Sequence, residues 1–118
     1  MSVEVTDQEA QAVAVAPRVK LSDIEGAIRS RYDFTAWAAV SAAANPAPKA
    51  EDMDALGILS VCILVMGNGF NVIGKSAPAS PENFNADLGR KFAYEDCIRQ
   101  LWPLMGYALR DKLANGGL

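Results

Sequence analysis

The sequence predicts an α+β domain, and three observations predict it. The apolar run Ile58 to Met66, then Asn68-Gly69, then Phe70 to Ser76 reads as an antiparallel hairpin. The stretch from Asn85 to Asn115 carries apolar residues at helical spacing between a capping residue and a glycine stop. A shorter stretch, 22–33, opens with the chemistry of a helix start. The expected architecture is a short N-terminal helix, an antiparallel β-hairpin or small sheet, and a long C-terminal helix kinked by Pro103. With 118 residues, 51% of them hydrophobic and 21% charged, the chain suits a single globular domain.

Residues 1–17 mix acids, Gln, Ala and Val and stop at Pro17, so they read as a flexible arm ahead of a domain spanning 18–118. Val3, Val5, Val13 and Val15 alternate weakly, which leaves a short edge strand open. In 22–33, Ser22 is placed as an N-cap, with Glu25 three residues on completing a capping box. Ile24, Ala27 and Ile28 supply one apolar stripe, and Tyr32, Phe34 and Trp37 follow as an aromatic cluster. This cluster is either core packing or a stacking platform. Residues 38–56, Ala-rich with Pro46 and Pro48, read as a surface loop.

In Ile58–Met66 both strand faces are apolar: Val61, Ile63 and Val65 on one, Cys62, Leu64 and Met66 on the other. A strand covered on both sides in so short a chain points to a subunit interface. Asn68-Gly69 suits a type I′ turn, and Gly74 marks a bulge or a close approach to the backbone. The last helix starts at Asn85, and Pro103 should kink or split it. On its wheel Tyr94, Ile98, Leu101, Met105, Leu109 and Leu113 form the expected core stripe.

Composition narrows the function. The chain has no histidine, which removes Ser-His-Asp and Cys-His catalysis and the commonest metal ligand. Cys62 and Cys97 sit in apolar or helical contexts and read as buried free thiols. A net charge of −3 argues against broad nucleic-acid or membrane-surface binding. No leader and no apolar run of spanning length stands out, so a reducing cytoplasm is expected. No phosphate-binding glycine loop is present, and the acid pairs Asp52/Asp54 and Glu95/Asp96 do not form a dyad. The expectation is a binding module without enzymatic activity or cofactor.

Candidate binding residues cluster around the entry to the last helix. Lys91, Glu95 and Arg99 are spaced either as an i,i+4 ladder or as the cationic rim of an anion pocket. Asn83 is a turn residue or a hydrogen-bonding group for a base or ribose. Phe84 is a hydrophobic staple or a stacking ring, and Phe70 a core anchor or a ring facing the same loop.

Asn68-Gly69-Phe70, Ser80-Pro81-Glu82-Asn83-Phe84, Gly89-Arg90-Lys91 and Trp102-Pro103-Leu104-Met105-Gly106-Tyr107 occur in an order that resembles a family of small bacteriophage proteins, over about residues 18–115. Through that family the chain resembles the anti-Thoeris signal-sequestering sponges of the first kind. The resemblance implies a viral protein in the cytoplasm of the infected bacterial host. It would hold a cyclic ADP-ribose signal, and in some members cyclic oligonucleotides at a separate site, without cleaving it. The assembly would be a homo-oligomer built on dimers. Phe70 or Phe84 would then stack on adenine, Asn83 would hydrogen-bond the base or ribose, and Arg90, Lys91 and Arg99 would neutralise phosphates. Two subunits meeting there would make a composite pocket.

The segment 36–57 carries no motif of the family pattern. Residues 85–115 hold five bases against four acids, so any phosphate site is local. Two other readings stand beside the sponge. One is a viral effector gripping a host protein through Ile58–Met66 and the N-terminal arm. The other is a virion or nucleic-acid accessory protein.

Overall fold

The computed structural model describes residues 7–13 and 16–116. Helix α1 spans Asp7–Val13, α2 Leu21–Ala27, α3 Ala36–Ala43, α4 Met53–Gly57 and α5 Ala86–Ala114. Strands β1 (Ile28–Thr35), β2 (Ser60–Met66) and β3 (Asn71–Ser76) form one antiparallel sheet in the order β1-β2-β3. Single 3-10 turns lie at Ala50–Asp52 and Pro81–Asn83. The architecture is α+β, with α5 laid across one face of the sheet.

The hairpin reads as expected in position, though its turn differs. Among the described residues no residue other than glycine has positive φ, and in the turn only Gly69 does (φ 88°). A type I′ turn needs two such residues. Here Gly69 N–H donates to Met66 O (2.9 Å) and Met66 N–H to Phe70 O (2.8 Å), which makes a three-residue loop. The Asn68 side chain accepts from Phe70 N–H at 2.9 Å and holds it closed.

The stretch 22–33 is corrected. Its helix ends at Ala27, and residues 28–35 are a strand paired with β2, Tyr32 opposite Ile63 and Phe34 opposite Val61. Local signals favoured continuing the helix, but the neighbouring strand offers a full ladder of hydrogen bonds that they could not foresee. The cap lies two residues earlier than Ser22: Lys20 is the N-cap, and its N–H donates to the Asp23 carboxylate at 2.8 Å. The expected loop 38–56 is also corrected, since it contains most of α3 and the start of α4. Thr35 caps α3 by accepting from Ala38 N–H at 3.3 Å.

At the N-terminus, 7–13 is helical, and the Arg18 guanidinium donates to Asp7 Oδ1 at 2.8 Å. Val3, Val5 and Val15 of the weak alternation lie outside the described residues.

Helix α5 begins where expected. Asn85 caps it, accepting from Leu88 N–H at 3.0 Å, and Gly116 follows the end with φ 78°. It runs as one element through Pro103 and is not split there. Of the expected stripe Ile98 and Leu101 are buried, Tyr94 and Met105 pack against the core and Leu113 is exposed, while Gly89, Ala93 and Cys97 extend the buried face to one side. The reason is close approach. A Cβ on Gly74 would lie 2.2 Å from Ala93 O, so helix and strand touch backbone to backbone. Only small residues at 89, 93 and 97 allow that spacing.

The core between the two layers comprises Cys62, Leu64, Met66 and Val72 from the sheet and Ile24 from α2, with Ala93, Cys97, Ile98 and Leu101 from α5. Both cysteines are buried and free. On the opposite face Val61 is buried, and the middle of the sheet is more open. There Tyr32, Ile63 and Ile73 stand in one cross-strand row, Tyr32 58% and Ile73 60% exposed. Among the described residues no helix is long and apolar enough to cross a membrane.

Candidate functional site

Where the first half of α5 passes β1, the sheet face is polar and open. Residues 31 and 33 point to the α5 side, because side chains alternate along a strand and Tyr32 points away. Arg31 lies 4.4 Å from the centroid of the Tyr94 ring, a cation–π stack. Its Nε donates to Asp33 Oδ2 at 2.9 Å, and Nη2 reaches Arg90 O at 3.5 Å. The guanidinium is thus held over an aromatic ring. Burial alone would lower its pKa, but the hydrogen bond and charge of Asp33 outweigh that and raise it. Tyr94 is shifted up by burial, then by the Glu25 charge.

Arg90 continues this rim. It pairs with Asp87 and lines a recess of about 70 Å³ with Asp33, Phe34, Thr35, Ser60, Phe84 and Ala86. Phe84 stands between that recess and a second one of about 220 Å³, which Asn83, Asn85, Leu88 and Phe92 help line. As a staple Phe84 would meet residue 89, four places into the helix. That residue is Gly89, so the ring lies over bare backbone: a Cβ there would sit 3.5 Å from Phe84 Cε1. Asn83 is exposed at the end of the 3-10 turn.

The other candidates lie elsewhere. Phe70 is half exposed at the hairpin tip and borders a third cleft, of about 620 Å³, with Met66, Leu101, Leu104, Met105 and Ala108. Arg29 and Asn68 give that mainly apolar cleft a polar edge. Lys91 and Arg99 are exposed on the side of α5 turned away from Ala93 and Cys97. The i,i+4 ladder does not form; Arg99 bonds Asp96 instead, at 3.3 Å. One chain therefore gathers Asn83, Phe84 and Arg90 but not Phe70, Lys91 or Arg99.

Sequence reasoning missed Arg31, Asp33 and Tyr94 as a group. The sequence signals place Arg31 and Asp33 in a helix, and their i,i+2 spacing becomes meaningful only on a strand. The alternation Arg31-Tyr32-Asp33-Phe34, polar then aromatic, was the available signal.

The arrangement offers guanidinium groups and aromatic faces, the parts that bind an anion attached to a planar ring. The two thiols are not part of it. Burial pushes the Cys97 thiol up to about 12, with Cys62 beside it adding to the effect. Among the described residues no three His, Cys, Asp or Glu side chains gather to hold a metal.

A family model of a phage protein family, the N4 Gp49/phage Sf6 gene 66 family, matches residues 19–113. No curated protein and no solved structure matches the chain.

Proposed function

This chain belongs to the phage protein (N4 Gp49/phage Sf6 gene 66) family, and on that premise we propose that it is an anti-defence protein. It binds a cyclic nucleotide immune signal of the cyclic ADP-ribose type inside the infected host and sequesters it without cleavage. The observation that carries this reading is the rim of Phe84, Arg90, Arg31 and Tyr94 along the first half of α5. Two guanidinium groups take the phosphates, and an aromatic ring takes the base. Asn83, on the other side of Phe84, hydrogen-bonds the base or ribose. Phe70 lies in a different cleft of the same chain, so a pocket using both rings is built from two copies. The protein acts as an oligomer of dimers.

The test is a thermal-shift screen of the purified protein against cyclic ADP-ribose isomers and cyclic di- and trinucleotides. A ligand at 100 times its Kd stabilises by about 2.7 kcal/mol, several degrees in a domain of this size. Arg31→Ala and Arg90→Ala should each abolish most of the shift while retaining the far-UV spectrum of the parent. The bound ligand should be recovered intact after denaturation. Recovery of an altered molecule, or no shift across the panel, would overturn the sponge; the exposed row Tyr32-Ile63-Ile73 would then favour an effector that grips a host protein.

A further inference from the structure

The cleft of about 620 Å³ stands apart from the rim along the first half of α5. It opens where the end of α2, the start of β1 and the hairpin tip meet the second half of α5. Its volume falls inside the range of small-molecule sites, about 300–1,000 Å³. Met66 and Leu101 are buried and make its floor. Phe70 and Leu104 make its walls and are 52% and 46% exposed, so large apolar side chains are left facing water.

The polar side chains of the cleft are of one kind. Arg29 and Asn68 stand at its edge, and among the described residues no carboxylate lines it. The Asn68 side-chain oxygen already accepts from Phe70 N–H, so its amide N–H groups are what it has left to offer. Arg29 is exposed, and among the described residues it makes no ion pair. Both side chains therefore present donors. In a chain of net charge −3, this is a local preference for an anion.

The backbone puts Arg29 there. Ile28 pairs with Met66 and Ser30 with Val65, so Arg29 is an extra residue in the ladder, a β-bulge. Arg31, two residues on, faces Leu64 on the α5 side, so regular alternation would set Arg29 against Met66 in the core. The bulge gives that place to Ile28, which packs against the core, and leaves Arg29 at the edge of the cleft.

We propose that this cleft binds a small amphipathic anion, an apolar chain or ring system that carries one carboxylate. Arg29 and Asn68 take the head group, and the body lies along Met66, Leu101, Leu104 and Phe70. One guanidinium beside apolar walls suits a single charged head. A nucleotide brings ribose and phosphate groups that those walls would leave without partners, so the site differs in chemistry from the rim at Phe84 and Arg90.

The experiment is calorimetric titration of the full chain with decanoate, kept below the concentration at which it forms micelles, beside decanol and decyltrimethylammonium. Decanoate should bind once per chain and about tenfold more tightly than decanol, the worth of one charge-assisted hydrogen bond. The cation should bind more weakly than decanol. Arg29→Ala should bring decanoate down to the level of decanol and leave decanol unchanged. Ala108→Phe sets a ring into the cleft from an exposed position of α5 and should abolish uptake of both. Circular dichroism of each variant separates lost binding from lost folding. The proposal is overturned by equal binding of decanoate and the cation, by decanoate binding indifferent to Arg29→Ala, or by uptake that survives Ala108→Phe. It also fails if the parent takes up no decanoate while Ala108→Phe dissociates an oligomer in sedimentation, because the occupant is then a second copy. Arg29 and Ala108 lie outside the nucleotide rim and no probe is a nucleotide, so the ligand reading stands or falls separately.

Discussion

Gly74 shows how one residue sets the spacing of the molecule. A methyl group there would lie 2.2 Å from Ala93 O and 2.7 Å from Cys97 Sγ, and both belong to the core. Neither can yield without moving α5 off the sheet. Gly74→Ala should therefore cost about 2–3 kcal/mol, the upper range for overpacking. Gly26 is the control. It sits in α2 with open space around its Cβ direction, so Gly26→Ala should stabilise by about 0.5–1 kcal/mol through helix propensity. Urea denaturation of the two variants measures both. Equal effects would mean that backbone contact at Gly74 does not limit packing. Arg31 is the functional counterpart of Gly74. Its guanidinium serves Asp33, Tyr94 and the Arg90 carbonyl at once, and Arg31→Lys would lose the flat fork that does so.

At the scale of elements, α5 organises the rest. It covers β2 and β3, its Asp96 and Gln100 side chains occupy the outer edge of β3, and Phe84 just before it and Arg90 in its first turns lie beside β1. The start of the helix is held by one bond from Leu88 N–H to the Asn85 side chain. Asn85→Ala should cost about 1 kcal/mol, typical of a lost N-cap. It should also loosen Phe84, because the cap fixes where that ring enters the helix. Denaturation midpoints give the stability, and hydrogen exchange at Leu88 reports the first turn. An unchanged exchange rate would mean that the cap is not what holds it. The strand β1 contrasts with β3: one edge is occupied by side chains, and the other is open and patterned with alternating charge and aromatic residues.

The whole molecule is a slab of 55 × 33 × 17 Å with a radius of gyration of 17.7 Å, against about 13–14 Å for a compact domain of this length. One sheet and one helix layer make a thin core, so each buried group weighs heavily in the stability. Cys97 is the sharpest case. Its folded pKa is raised from 9.0 to about 12 by burial and then by Cys62, and Cys62 is raised by burial and then by Asp33. A raised folded pKa means that the native state holds the proton more tightly than the unfolded chain. This stability is complete below pH 9 and is lost as pH climbs toward 12. Unfolding free energy should be flat from neutral pH to about 9 and then decline, and Cys97→Ala should reduce the slope of the decline. A decline that begins well below pH 9, or a slope indifferent to Cys97→Ala, would assign the titration to other groups.

Local chemistry alone determined a good part of this protein. The hairpin follows from two apolar runs around Asn68-Gly69. The long helix follows from the Asn85 cap, helical periodicity and the Asn115-Gly116 stop, and the α+β class follows from both. The family is legible because the resemblance rests on short strings such as Asn68–Phe70, Ser80–Phe84 and Trp102–Tyr107, read without a structure, and the family model matches residues 19–113. The tertiary structure decided what depends on partners distant in the chain. Residues 28–33 are a strand because β2 offers hydrogen bonds there, against a local preference for continuing α2. The short helices α3 and α4 form on either side of Pro46 and Pro48, which mark the region as a loop in the sequence. The buried stripe of α5 is set by how closely Gly74 lets it approach, which no helical wheel contains. Tertiary structure also placed Phe70 apart from Phe84 and joined Arg31 to Arg90 and Tyr94. Periodicity and capping act within a few residues and can be read from sequence; pairing, close approach and side-chain convergence are properties of the folded chain.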